Sequence, residues 1–493
     1  MSIRNRYILF LLLSTLVLQI YIVLKADDIM YMSDTVRGFF LQVRSAVAPA
    51  EDRFRIVRPA SYRKYKATYA GLPSEYRHAG YFLFYRAPRD IRLNALADEA
   101  LRYTHYFKRY QLERAIREHN GINGAIVRRG DVVYIPHSLP VLLPDFKRTL
   151  KPALIHSRGL YYTGGAVGSE KILRTIDRYV ERGINTIVFD VKDITGIVNY
   201  RSHTPGVIDY NTHRKRTIDD IDKLIRVLRE KNLYIIARIA VFRDHLLYER
   251  VPEFAIRSKK TGGRWNEDSA ELWCDPTNVS VQDYNIALAI ELAEKGVDEI
   301  QFDYIRFPTA GNLRDAAYTY SFGKMTNEAA ITHFLARAHA ELSKRNTLLS
   351  IDIFGVVAWG KEVDIRLTGQ RIEMLAPYCD VISPMLYPSH FNDNFDGYAS
   401  PGDNPYYFIN RGVLKVKAFA KGKPIRPWLQ AFKWRTSAYN ENYILEQIKA
   451  ANDAGALGYL FWNASNNYEY VYDGLAKLAS VEKKNDIAQG AHR

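Results

Sequence analysis

The chain has 493 residues, of which 47% are hydrophobic and 25% charged, the make-up of a globular protein able to bury a core in more than one domain. The formal charge is +15, and about half of that excess falls between Ala26 and Leu150; such a surface suits anionic partners, but no nucleic-acid motif accompanies it and no nucleic-acid partner is expected. The two cysteines, Cys274 and Cys379, exclude a disulfide scaffold and leave open one bridge or two buried thiols.

Met1 to Arg6 is short and basic. Tyr7 to Leu24 is almost wholly apolar and just long enough to span a bilayer. The stretch Val23-Leu24-Lys25-Ala26-Asp27 is a poor match to a cleavage site. Residues 1–25 are therefore expected to form a signal anchor, with a cleaved signal peptide as the alternative. Arg4 and Arg6 would stay cytoplasmic, placing the remainder outside the cytoplasm, anchored to the inner membrane or secreted if the signal is cleaved. Residues 26–60 read as a stalk or linker.

Residues 61–150 read as a small α+β module. Arg92–Tyr106 and Tyr110–Asn120 have helical spacing, and Gly124–Pro136 reads as hairpin-like with Arg129-Gly130-Asp131 at its turn. A helix, then Asn120-Gly121-Ile122, a basic Gly-Asp turn and Val132-Val133-Tyr134-Ile135-Pro136 resemble the last part of a LysM domain. That family binds glycans containing N-acetylglucosamine. A structural cap is the other reading of the module.

From Arg158 the chain alternates strands and helices. Strands are expected at Arg158–Thr163, Ile184–Asp193, Asn232–Phe242, Ile300–Phe302, Leu348–Gly355, Asp380–Pro388, Ile425–Trp434 and Ala456–Ala464. Helical stretches lie between them, among them Val281–Lys295, Asn327–Arg345 and Gly369–Ala376. The number and alternation predict an α/β fold, a (β/α)₈ barrel over residues 155–478, with a C-terminal tail at 479–493. No glycine-rich phosphate loop follows the first strand, which disfavours an open doubly wound sheet. Two long connections, Asp244–Ser280 and Pro388–Pro405, fall on the carboxyl side of strands, where barrels carry their sites.

The stretch GVDEIQFDYIRFP, Gly296 to Pro308, is an apolar strand with a polar end. Alternation puts Glu299, Gln301 and Asp303 on one face, Val188, Asp190 and Lys192 on another, Ile236, Arg238 and Ala240 on a third, and Ser350, Asp352 and Phe354 on a fourth. Asp303, Asp190 and Asp352 are thereby the catalytic candidates at one barrel mouth. Carboxylates brought together raise at least one pKa and equip that group as an acid; Lys192 and Arg238 are expected to keep the others ionised. Lys192, Asp193, Arg238, Gln301, Tyr304, Arg306, Tyr387, Trp434 and Trp462 are the candidates for binding substrate. Trp265 and Trp273 in the long loop add flat rings suited to sugar. No GxSxG elbow, Cys–His pair or HExxH motif is present, and neither a metal nor a cofactor is expected.

FDVKDITG (Phe189–Gly196), ELWCDPTN (Glu271–Asn278), DEIQFDYIRFP (Asp298–Pro308), IDIFG (Ile351–Gly355), SPMLYPSHF (Ser383–Phe391) and GYLFWNASN (Gly458–Asn466), in this order, resemble the bacterial family called the putative glycosyl hydrolase domain. The resemblance implies a (β/α)₈ barrel in a bacterial envelope, a polysaccharide or other glycan substrate, and Asp303 as the aspartate of strand four. Met385, Tyr387 and Trp462 are distantly similar to chitinase-like barrels. The chain departs from their DxxDxDxE pattern, and strand seven offers Gln430 where a carboxylate would complete a pair. A glycan-binding barrel without catalysis, or an envelope scaffold, is therefore the alternative expectation.

Overall fold

The computed structural model describes residues 72–79, 82–139, 156–266, 271–318 and 325–490. The expected membrane segment Tyr7–Leu24 and the stalk lie outside the described residues. Among the described residues no helix is long and apolar enough to cross a membrane. The chain divides between Phe146 and Lys147 into two compact units.

In the first unit, strands Tyr76–Ala79, Phe82–Arg86 and Val132–Ile135 form an antiparallel sheet, and Ile91–Arg92 pairs with Ile126–Val127. Helices Leu93–Ala100 and Arg109–Asn120 lie between the two short strands and bury Leu93, Leu96, Leu112 and Ile116 against Leu83, Val133 and Ile135. Two expectations change. Gly124–Pro136 is not a hairpin: its two strands turn at Gly130 (φ 91°) but pair with different partners. Asp90 explains the divergence, because its carboxylate takes the Arg129 amide and the Arg128 side chain, both at 2.9 Å. The helix expected over Arg92–Tyr106 ends at Ala100 in a 3₁₀ turn, Leu101–Tyr103. There the Thr104 hydroxyl donates to the Leu101 carbonyl at 2.9 Å, a local bond that competes with helix propagation.

The second unit is a closed barrel of eight parallel strands in sequence order: Ser157–Tyr162, Thr186–Lys192, Tyr234–Ala240, Glu299–Asp303, Leu348–Phe354, Val381–Met385, Trp428–Gln430 and Gly458–Trp462. Strands two and three are buried at every position, which is why they read as apolar runs rather than as alternation. The helix before strand four, Val279–Lys295, is capped by the Asn278 side chain on the Ser280 and Val281 amides. It stops at Gly296, whose φ of 92° only glycine adopts readily. At the seam Gly458 (φ 79°) lets strand eight meet strand one; a Cβ there would stand 1.9 Å from the Ser157 carbonyl oxygen.

Strand seven is shorter than the expected Ile425–Trp434. Pro424 and Pro427 remove ladder donors before it, and the Gln430 amide donates to the Gln447 side chain at 2.7 Å. Of the helix expected at Gly369–Ala376 only Ile372–Leu375 is α-helical, followed by a 3₁₀ turn at Ala376–Tyr378; a separate helix, Glu362–Thr368, ends just before it at Gly369 (φ 75°). A helix, Glu469–Gly490, runs through the boundary expected at residue 478. The lower end of the barrel is plugged by Arg426, which donates through both Nη atoms to the Glu299 carboxylate; Tyr234 OH donates to the same carboxylate at 2.9 Å.

Candidate active site

The parallel register sets Asp190 opposite Arg238, and Arg238 opposite Gln301. Phe302 lies opposite Ile351, so one step toward the carboxyl end Asp303 and Asp352 stand side by side. These side chains point into the barrel. Arg238 gathers the three aspartates: Nη1 donates to Asp190, Nη2 donates to Asp303, and Nε lies 3.6 Å from Asp352 Oδ2. All four residues are buried. Tyr161 OH donates to Asp190 Oδ2 at 2.5 Å, and Trp428 Nε1–H donates to Asp352 Oδ1 at 2.7 Å. The Tyr304 amide donates to Asp303 Oδ1 at 2.5 Å.

Burial dominates the electrostatics. It pushes the Asp190 carboxyl up despite Arg238 beside it. It pushes Asp352 well above the usual carboxylate range, and the charge of Asp303 adds to the rise. A buried acid next to a like charge keeps its proton. Lys192 and Arg238 are expected to lower these neighbours; instead desolvation outweighs the one shared guanidinium, and both carboxyls are raised, Asp352 the further.

Lys192 does not join the group. A bulge between Asp190 and Lys192 sets Lys192 opposite Ile239, where a regular ladder would set it opposite Ala240. The side chain leaves the barrel interior, pairs with Asp244 at 2.6 Å in full burial, and lies 5.6 Å from the Tyr284 ring centroid on the outer helix. A bulge inserts one residue and so reverses the face. Asp193 is half-buried and caps its own turn, accepting from the Thr195 amide at 2.9 Å.

Gln301 donates from Nε2 to Ser383 Oγ at 3.3 Å inside the barrel, with its Oε1 unpartnered. Tyr304 follows Asp303 with φ 52°, a left-handed conformation that costs a bulky residue about 1–3 kcal/mol and concentrates at functional sites. Tyr387 is buried, and its ring centroid is 5.9 Å from that of Trp462, which is 6.0 Å from Tyr161. Trp462 also lines a cavity of 460 Å³ with Phe432, Tyr439, Asn463 and Tyr470. Trp434 is exposed and packs its ring at 4.9 Å from His390.

Trp265 and Trp273 are fully buried, so the rings expected to meet sugar are core instead. Gln430 accepts from the Ser389 amide and donates to the Phe432 carbonyl at 3.0 Å; it holds a loop. Cys274 and Cys379 are free, buried thiols. Sequence reasoning missed Tyr161, Trp428 and Asp244. The first was legible as the inward neighbour of Gly159 in strand one; the others are fixed by pairing across strands.

A family model described as "Putative glycosyl hydrolase domain" matches residues 159–468, the span of the barrel. The chain belongs to this family. No curated protein matches it. Among solved structures, a hypothetical protein from Ruminiclostridium thermocellum ATCC 27405 is 35% identical, over 39% of this chain and 96% of that one, with a TM-score of 0.36. The PgaB (BpsB) glycoside hydrolase domain from Bordetella bronchiseptica is 13% identical, over 65% of this chain and 98% of that one, with a TM-score of 0.47. The spore cortex-lytic enzyme SleL of Bacillus megaterium QM B1551 is 9% identical, over 74% and 81%, with a TM-score of 0.40. In this glycosyl hydrolase family member, then, the three aspartates on Arg238 occupy the barrel end where such folds carry chemistry.

Proposed function

We propose that the chain hydrolyses a glycosidic bond in an envelope or extracellular polysaccharide, one bearing amino sugars, and that the Asp303–Asp352 pair supplies the proton. The side-by-side placement of these two carboxyl groups at the mouth is the observation that carries the reading. Asp352 is buried and holds a proton beside Asp303. Asp303 ends its strand and meets the glycosidic oxygen: it takes the proton from Asp352 and passes it to the leaving oxygen as general acid, and the water that adds at the anomeric carbon returns a proton to the pair. Asp190, bonded to Tyr161 and Arg238, stabilises positive charge that develops on the sugar ring. Tyr387 and Trp462 form the wall on which a pyranose ring stacks. The N-terminal module is a second glycan-contacting unit, and Tyr7–Leu24 anchors the chain in the membrane.

The test is release of reducing ends from amino-sugar polysaccharides. Wild type is expected to release them and Asp303→Asn to be slower by about 10²–10⁴-fold. Equal rates would remove Asp303 from the role. A second reading follows from Arg238, which engages every carboxyl group of the cluster: a barrel that binds glycan without cleaving it. Glycan retention by wild type with no reducing-end release would favour that reading.

A further inference from the structure

Arg306 lies two residues past the strained Tyr304, on the carboxyl side of the barrel. Its guanidinium lies 4.9 Å from the ring centroids of both Trp273 and Phe354. Nη1 donates to the Phe307 carbonyl at 3.1 Å and meets Thr309 Oγ1 at 3.5 Å. Among the described residues no carboxylate pairs with Arg306, and its Nη2 and Nε have no partner, although the residue is only 9% exposed. Burial pushes its pKa down, and the nearby charges of Tyr304, Asp303 and Glu271 offset this only in part.

A second guanidinium stands nearby. Arg243, just past strand three, lies 5.5 Å from the Tyr304 ring centroid, and Arg306 lies 5.6 Å from the same centroid. Arg243 Nε is buried without a partner. Its Nη1 reaches Glu271 at 3.4 Å, a carboxylate 38% exposed. Asp303 is near as well, but Arg238 already donates to it. Glu271 thus engages Arg243, while the Nη2–Nε edge of Arg306 is left without a partner among the described residues.

We propose that Arg306 and Arg243 form an anion subsite that takes the carboxylate of an acidic sugar, so the glycan processed by this barrel is acidic rather than neutral. The inference rests on the reading of the barrel as a glycan hydrolase and names its substrate class. The free Nη2–Nε edge is a planar fork matched to a carboxylate. Packing against the Trp273 and Phe354 rings restricts the guanidinium before the ligand arrives, which reduces the ordering cost of binding. The carboxylate comes either from a uronic acid, on the ring, or from a lactyl arm such as that of N-acetylmuramate.

The test is equilibrium binding to the full-length chain, followed by saturation-transfer NMR. The probes are glucuronate with its neutral amide, and N-acetylmuramate with N-acetylglucosamine. At least one acid is expected to bind roughly tenfold more tightly than its neutral counterpart, and the pair that shows the preference identifies the source of the carboxylate. Arg306→Gln should erase the preference, and Arg306→Lys should restore only part of it, since an ammonium keeps the charge but lacks the fork. Circular dichroism of both variants checks the fold. Equal affinity within both pairs, or a preference that survives Arg306→Gln in a folded protein, overturns the proposal. Because binding needs no turnover, the Asp303→Asn protein should keep the preference, so failure here is separable from failure of the hydrolase reading.

Discussion

The barrel buries an arginine among acids at each end, and the two ends are balanced differently. At the lower end Arg426 faces one carboxylate, Glu299; Arg426 also donates to Ser157 Oγ, and Tyr234 OH donates to Glu299. One cation meets one anion and the charges cancel. At the upper end Arg238 faces Asp190, Asp303 and Asp352. One cation faces three acids in a buried site, and burial with the charge of Asp303 pushes the Asp352 carboxyl well above the usual range. The same residue types thus give a structural lock where the count is even and a proton reserve where it is not.

Four measurements break or sharpen that contrast. The largest effect is on rate: Asp303→Asn should lose about 10²–10⁴-fold in kcat while the unfolding midpoint in urea stays near that of wild type. The lower end should respond the other way. Glu299→Gln leaves a buried Arg426 without its anion and should cost about 3–5 kcal/mol in urea unfolding, with activity per folded molecule retained.

The third measurement is the pH dependence of stability. Asp352 is raised in the folded chain relative to the unfolded one, so the native state binds the extra proton. Stability from this group is present in full below the ordinary aspartate range and falls as pH rises toward the raised value. The slope is at most about 1.4 kcal/mol per pH unit for one proton. Asp352→Asn should flatten the curve relative to wild type over that window, and an unchanged slope would contradict a protonated Asp352. The smallest effect concerns the aromatic wall. Trp462→Ala should raise KM by an amount worth about 0.5–1.5 kcal/mol with kcat little changed, as measured by initial rates.

The barrel was legible because its signal is repeated: apolar runs bounded by helices recur eight times, and an error in any one does not alter the count. The inward set at the mouth was legible where strands are regular, as at Asp303 and Arg238, since alternation alone fixes the side. It failed at Lys192, where one inserted residue reverses the face and leaves no mark in the composition. Trp265 and Trp273 were misread for a related reason. A loop this long packs a core of its own, and burial inside a loop has no periodicity to reveal it. The shortness of strand seven was visible in Pro424 and Pro427 and was outweighed by the apolar run around them.

Tyr304 carries a further consequence. Its backbone sits where glycine or asparagine would rest more easily, yet the ring there lies beside two arginines and its amide holds Asp303. Tyr304→Gly would relieve about 1–3 kcal/mol of torsion but would give up a ring packed beside Trp273 and two guanidiniums, a truncation that costs about 3–5 kcal/mol. The same exchange frees the turn that aims Asp303 and removes the ring shared by Arg243 and Arg306. Robustness and turnover therefore lean on the same side chain at this single position, and the strained torsion is tolerated because the ring and the amide are both in use.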